Sequence, residues 1–176
     1  MGVQLIFVVE TNKKCKSDWI YIKDTIDYFF EYDHAHVKLS PVYMDGKGRY
    51  IKAEKEVKKL ISQYNNSAKG RKTEVIYCFD CDEYDTKPED EVFMKNTKKF
   101  CADRGYHYVW FCKDIERVFL GNKVPDAEKK KAAEIFKAKK KINDVTEHKL
   151  LCKDYKMNSS NILTVLDTFG SSLKRK

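Results

Sequence analysis

Glu74-Val75-Ile76-Tyr77-Cys78-Phe79, running straight into Asp80-Cys81-Asp82, is the stretch that decides the fold of this chain. A short continuous apolar run, rich in β-branched and aromatic residues, is the pattern of a strand covered on both faces. This one ends abruptly in two carboxylates. Upstream, Val3-Gln4-Leu5-Ile6-Phe7-Val8-Val9 repeats the pattern and also stops at an acid, Glu10. Open α/β sheets bind ligands beyond the carboxyl ends of their strands. Glu10, Asp80 and Asp82 therefore fall where a site is expected, with Asp80 and Asp82 on one side if the strand geometry runs through them.

The segments between the strands have helical periodicity. Trp19, Ile22, Ile26, Phe29 and Phe30 predict an amphipathic helix over 18–31, with Ser17 as its N-cap and Asp18 favouring its start. His36–Met44 reads as a second strand, weakened by Pro41, which favours a sheet edge or the strand's irregular end. The turn Asp45-Gly46-Lys47-Gly48-Arg49 leads into a helix carrying Val57, Leu60, Ile61 and Tyr64, which the Asn- and Gly-containing tract 65–70 ends. A helix over 88–104 has Pro88 in its first turn and Gly105 just past its end. Tyr106–Cys112 is a fourth strand, and 114–120 a short helix turning Ile115, Val118 and Phe119 inward. The order βαβαβαβα calls for an α/β domain over 3–120: a four-stranded, mainly parallel sheet flanked by helices.

Beyond Gly121 the texture changes. Residues 121–176 read as a basic helical extension packed on the same domain. It holds a Lys/Ala-rich helix over 126–141 with Ala132, Ile135 and Phe136 on its apolar side, and a last helix over 159–169. The Lys-Arg-Lys end is expected to fray. At 176 residues the chain suits one domain with a real core. No apolar stretch approaches the roughly 20 residues of a membrane span. The start shows no leader pattern, and the six scattered cysteines read as reduced thiols, so the cytoplasm is the expected address.

Charge is distributed unevenly. Residues 121–176 hold 14 Lys+Arg against 7 Asp+Glu, a net of +7, which leaves +1 of the total +8 for the rest. A phosphate-rich partner, DNA or RNA, would be drawn to this third of the chain. Lys129, Lys130, Lys131, Lys137, Lys139, Lys140 and Lys141 are the candidate backbone contacts, with a plainly solvated helix face as the alternative. Lys47 and Arg49, in a turn before a helix, are further candidates. Cys78 and Cys81 form a C-x-x-C, but no second ligand pair accompanies them, so they read as buried thiols rather than zinc or redox centres. His34, His36, His107 and His148 have no metal-ligand spacing.

Carboxylates gathered at one sheet edge repel and raise one another's pKa, and a divalent cation reverses that. Hard cations such as Mg²⁺ or Mn²⁺ take oxygen ligands and keep waters, so one to three carboxylates plus phosphate oxygens is a sensible set. Ile6-Phe7-Val8-Val9-Glu10, Tyr77-Cys78-Phe79-Asp80-Cys81-Asp82 and the segment Trp110–Leu120 together resemble the Toprim (topoisomerase–primase) domain, and within it the RloB-like and OLD-type nuclease group. The likeness covers residues 3–120. It implies a Toprim-like, Rossmann-like sheet and metal-dependent cleavage of DNA or RNA phosphodiesters. Glu10, Asp80 and Asp82 would be metal ligands, and Glu116 the acid opening the helix after the fourth strand, with Glu83 another outer ligand. It also implies a role in phage defence beside a separate ABC-type ATPase, since this chain has no Walker motif. Three departures stand out: Thr11 occupies the family's Gly position; Lys14 holds the place of a second acid, for which Asp18 could substitute only across a longer loop; and Asp85 comes one residue too late to extend Asp-x-Asp into a third alternating position. The alternatives are a non-catalytic nucleic-acid-binding or regulatory subunit, and a small-molecule phosphotransferase with Asp80 as nucleophile.

Overall fold

The computed structural model describes residues 2–176. Its centre is a five-stranded sheet whose first four strands are all parallel. These are β1 (Val3–Val9), β3 (Val37–Tyr43), β4 (Lys72–Asp80) and β5 (His107–Cys112). A two-residue strand, β6 (Ser159–Ser160), joins β5 antiparallel, giving the order β3-β1-β4-β5-β6. The sheet is thus one strand wider than the sequence predicts. A two-residue strand has no period, which is why β6 leaves no trace in the pattern. Pro41 lies in β3, at the sheet edge, where its missing N–H costs no central ladder bond.

Alternation along the strands divides the core. Leu5, Phe7 and Val9 of β1, with Ile76, Cys78, Val109 and Phe111, face one layer of helices. That layer is α1 (Ser17–Phe29), α4 (Ile115–Leu120), α5 (Lys129–Ala138) and α7 (Ile162–Asp167), with α6 (Glu147–Leu150) beside it. Ile6 and Val8, with Val75, Tyr77 and Phe79, face the opposite layer of α2 (Tyr50–Asn65) and α3 (Pro88–Arg104). Residues after Gly121 contribute Ala133, Phe136, Ile142, Leu163 and Leu166 to the same core as β1 and α1. Tyr21 ties the two parts together, stacking on Phe119 with ring centres 5.2 Å apart and meeting the edge of Phe136 at 5.0 Å.

Several boundaries differ from the sequence reading. Helix α1 begins at Ser17 rather than being capped by it, since Lys16 takes the cap position with φ of 57°. It ends at Phe29, because Phe30–Glu31 form a short strand, β2, that pairs antiparallel with Lys174–Arg175, β7. The Lys-Arg-Lys end is therefore held, not frayed, and Arg175 adds ion pairs to Glu147 at 2.6 Å and Asp167 at 2.9 Å. Helix α5 is shorter than 126–141, broken by a left-handed residue at Lys140. Its inward residues are Ala133 and Phe136, whereas Ile135 is 37% exposed. No described helix is long and apolar enough to cross a membrane.

Candidate metal and phosphate site

Strands β1 and β4 end side by side, and their first residues beyond the apolar run meet. Glu10 turns back to accept the Asp80 backbone N–H through Oε1 at 2.8 Å. The alternation that sends Ile76 and Cys78 toward α1 sends Asp80 the same way. Its Oδ1 accepts from the Ile115 N–H at 3.0 Å, at the start of α4. Asp18, in the first turn of α1, accepts from the Thr11 N–H through Oδ2 at 3.2 Å. Glu116, one residue into α4, is 1% exposed and turns inward. Glu10, Asp18 and Asp80 thus each give one carboxylate oxygen to a backbone amide, which fixes the group.

Electrostatics binds these four acids into one cluster. Burial, then Asp18, pushes the Glu10 carboxyl up to about 8, against the pull of the Asp80 amide. Burial raises Asp80 well above the ordinary carboxylate range, with Glu10, Asp18 and Glu116 adding to the rise. Burial also lifts Asp18, although the Thr11 amide and Lys129 oppose it. Glu116 is pushed by burial to about 7, with Lys129 restraining the rise and Asp18 adding to it. Burial is the leading cause in all four, and neighbouring acids add to the rise at Glu10, Asp80 and Glu116.

Lys129 is the one cation that enters the cluster from the C-terminal segment. Its Nζ stands 3.6 Å from Glu116 Oε2 and 3.4 Å from Asp126 Oδ1, and its side chain is 23% exposed. Positions 129, 133 and 136 lie on one face of α5, so the stripe that buries Ala133 and Phe136 also carries Lys129 inward. The other predicted lysines, Lys130, Lys131, Lys137, Lys139, Lys140 and Lys141, are exposed.

Asp82 does not join the cluster. Strand β4 stops at Asp80, and Asp82 has a left-handed backbone with φ of 48°, so the alternation expected to align it with Asp80 is broken. Its carboxylate pairs instead with Lys47, which also bonds Asp90 at 3.0 Å. Lys113 holds Glu83 at 2.7 Å and Asp85 at 3.3 Å, so the loop after β4 is tied down by two lysines. Lys47 is thereby a partner of acids rather than a free cation, and Arg49 is exposed beside Asp45 at 3.5 Å. Cys78 and Cys81 point into different clusters, Cys78 beneath α1 and Cys81 beside Cys112 and Trp110. His107 sits at the start of β5, the end of the sheet opposite the acids, and meets Glu74 at 3.2 Å.

Do these residues suit a divalent ion? The donors are all carboxylate oxygens, the chemistry a hard cation takes. Glu116 Oε1 and the Tyr21 hydroxyl are buried without a hydrogen-bond partner, and burial with Glu116 and Asp18 raises the Tyr21 hydroxyl pKa. Buried orphan polar atoms mark a place for an ion or water. Among the described residues no three acidic, His or Cys side chains already surround one point closely enough to hold a metal. A cation that keeps most of its waters needs only one or two of them. Asp18 and Lys129 are the members that sequence reasoning left outside the acidic site. The signal for Asp18 was its place in the first turn of α1, and for Lys129 its spacing to Ala133 and Phe136. Comparison of the chain with family models, with curated proteins and with solved structures gives no match.

Proposed function

We propose that this protein is a Mg²⁺- or Mn²⁺-dependent nuclease of Toprim-like build, cleaving phosphodiesters of DNA or RNA. One observation carries the reading. Glu10, Asp18, Asp80 and Glu116, from three separate stretches of chain, converge beyond the carboxyl edge of a parallel sheet, and a buried Glu116 oxygen has no partner. Glu10 and Asp80 would hold the ion through the oxygens not committed to backbone amides, with Glu116 and Asp18 behind them. Asp82 would join only on leaving Lys47. A bound divalent ion would acidify an attacking water and offset charge on the phosphate.

Substrate approach has two supports. A cleft of about 560 Å³ beside β3 and α2 is lined by Lys13, Arg49 and Lys52, together with Asp45 and Glu56. Tyr43 also lines it and is close enough to feel the charge of Asp18. The exposed lysines of α5 and the turn after it would grip the backbone without reading bases. A role in phage defence beside a separate ABC-type ATPase belongs to the same reading, on the strength of the sequence resemblance.

Purified protein should nick supercoiled plasmid or shorten RNA in Mg²⁺ or Mn²⁺, and EDTA or Asp80→Asn should stop it. Asparagine keeps an oxygen for the Ile115 amide, so loss of turnover in a folded Asp80→Asn protein would mark chemistry rather than collapse. The second reading, a non-catalytic nucleic-acid-binding or regulatory subunit, draws on the engagement of Asp82 by Lys47. Oligonucleotide binding without turnover in either metal, unchanged in Asp80→Asn, would favour it.

A further inference from the structure

We propose that the ammonium of Lys129 fills the place a second divalent cation would take, making the acidic pocket a one-metal site. The inference rests on the reading that this pocket accepts a divalent cation, and it specifies how many. The C-terminal segment would then supply a working part of the site rather than only a basic surface.

The charge inventory leads there. Glu10, Asp18, Asp80 and Glu116 together bring at most four negative charges to the pocket, and Lys47 neutralises Asp82 outside it. Such a cluster could draw in two divalent ions. Lys129 changes the balance because it is fixed: Ala133 and Phe136, both fully buried, pin its helix face against Tyr21 and Phe119. Its ammonium lies 3.6 Å from Glu116 and within electrostatic reach of Asp80 and Asp18. A divalent ion on the Glu116 side would meet this charge at short range in a half-buried setting, where repulsion is weakly screened. On the Glu10–Asp80 side the cation that reaches Glu10 is Lys47, whose charge is already shared between Asp82 and Asp90, so the single ion belongs there.

Two further atoms mark where a second ion would sit. Glu116 Oε1 and the Tyr21 hydroxyl are buried without partners, although Lys129 stands on the neighbouring Glu116 oxygen. With the ammonium removed, Glu116 would have both oxygens open, with Asp18 close by, as an oxygen site for a second ion.

Mn²⁺ binding to metal-stripped protein near pH 8, counted by electron paramagnetic resonance of free Mn²⁺ and by calorimetry, tests this without any turnover. Wild type should bind one ion tightly, Lys129→Met two, and Lys129→Arg one, because arginine restores the charge. Lys129→Met/Glu116→Gln should return to one. Two tight ions in the wild type would overturn the inference whatever the variants do, and so would one ion in a folded Lys129→Met protein. Should Lys129→Met fail to fold, Lys129→Gln provides the same uncharged comparison. Absence of tight binding in every protein would sink both the inference and the metal-dependent reading. The expected counts without any nucleolysis would leave the inference standing and remove only the nuclease proposal.

Discussion

In the absence of divalent cations, stability should fall as the pH is raised from about 5 to about 8.5, and Glu116 alone should contribute about 3 kcal/mol of that fall. The sign follows from proton counting. The Glu116 carboxyl is held near 7 in the folded chain against an ordinary 4.5. Between those values the folded protein keeps a proton that the unfolded chain has released, so folding is favoured at low pH and loses ground as pH rises. The contribution is fully present below 4.5 and gone once pH passes 7. At about 1.4 kcal/mol per pH unit, the separation amounts to about 3 kcal/mol. Glu10, raised to about 8, extends the decline to higher pH in the same direction. Urea unfolding followed by tryptophan fluorescence in EDTA, at the two pH extremes, measures it. Glu116→Gln should remove its share, so the variant loses about 3 kcal/mol less than the wild type over the same range. Mg²⁺ should stabilise the wild type at pH 8.5 and do little at pH 5. An identical pH slope in wild type and Glu116→Gln would show that Glu116 is not held protonated by burial among acids, and the electrostatic account of the pocket would fail.

Other outcomes follow from particular contacts. Phe136→Ala should cost about 3–5 kcal/mol, because the ring is fully buried against Tyr21 and Phe119; a single shifted urea transition would show that the C-terminal segment unfolds with the sheet. Glu54→Ala should lower the melting temperature, since it strips Arg104 of a 2.7 Å ion pair and Tyr106 of a 3.3 Å hydrogen bond; thermal melts with a double-mutant cycle against Arg104 would measure the coupling, and no coupling would show that the pair is only solvated. Replacing Lys130, Lys131, Lys137, Lys139, Lys140 and Lys141 by Gln should weaken oligonucleotide binding and flatten its salt dependence, by a slope of about 0.7–0.9 for each phosphate no longer neutralised. An unchanged slope in a fluorescence-anisotropy titration would mean that those exposed lysines are only solvated.

Where the chain states its structure in periodicity, the sequence is easy to read. The apolar runs at β1 and β4 have no alternative placement but the sheet interior, Pro41 sits on the edge strand, and Pro88 and Gly105 bracket α3 at Pro88–Arg104. What escaped depends on single residues or pairs. Ser159–Ser160 and Lys174–Arg175 are too short to show a pattern, and they pair because the surrounding core delivers them to a strand edge. Asp82 is lost from the acidic pocket through one left-handed backbone angle, which no spacing rule anticipates.

Lys129 teaches the opposite lesson, since its signal was present and outweighed. Three consecutive lysines look like a solvated or phosphate-facing run, and for Lys130 and Lys131 exposure agrees with that. Yet a helix presents only one residue in three or four to any direction, so a run cannot act as a unit. Whichever lysine shares a face with Ala133 and Phe136 must point toward the core, and a buried lysine needs carboxylates nearby. In this fold the end of the sheet offers such a place beside Glu116. The pairing of an excess of acids from the first two-thirds of the chain with a cation from the last third therefore makes the two parts interdependent. Deleting residues after 120 would both uncover Tyr21 and Phe119 and leave the carboxylates without their only partner from α5.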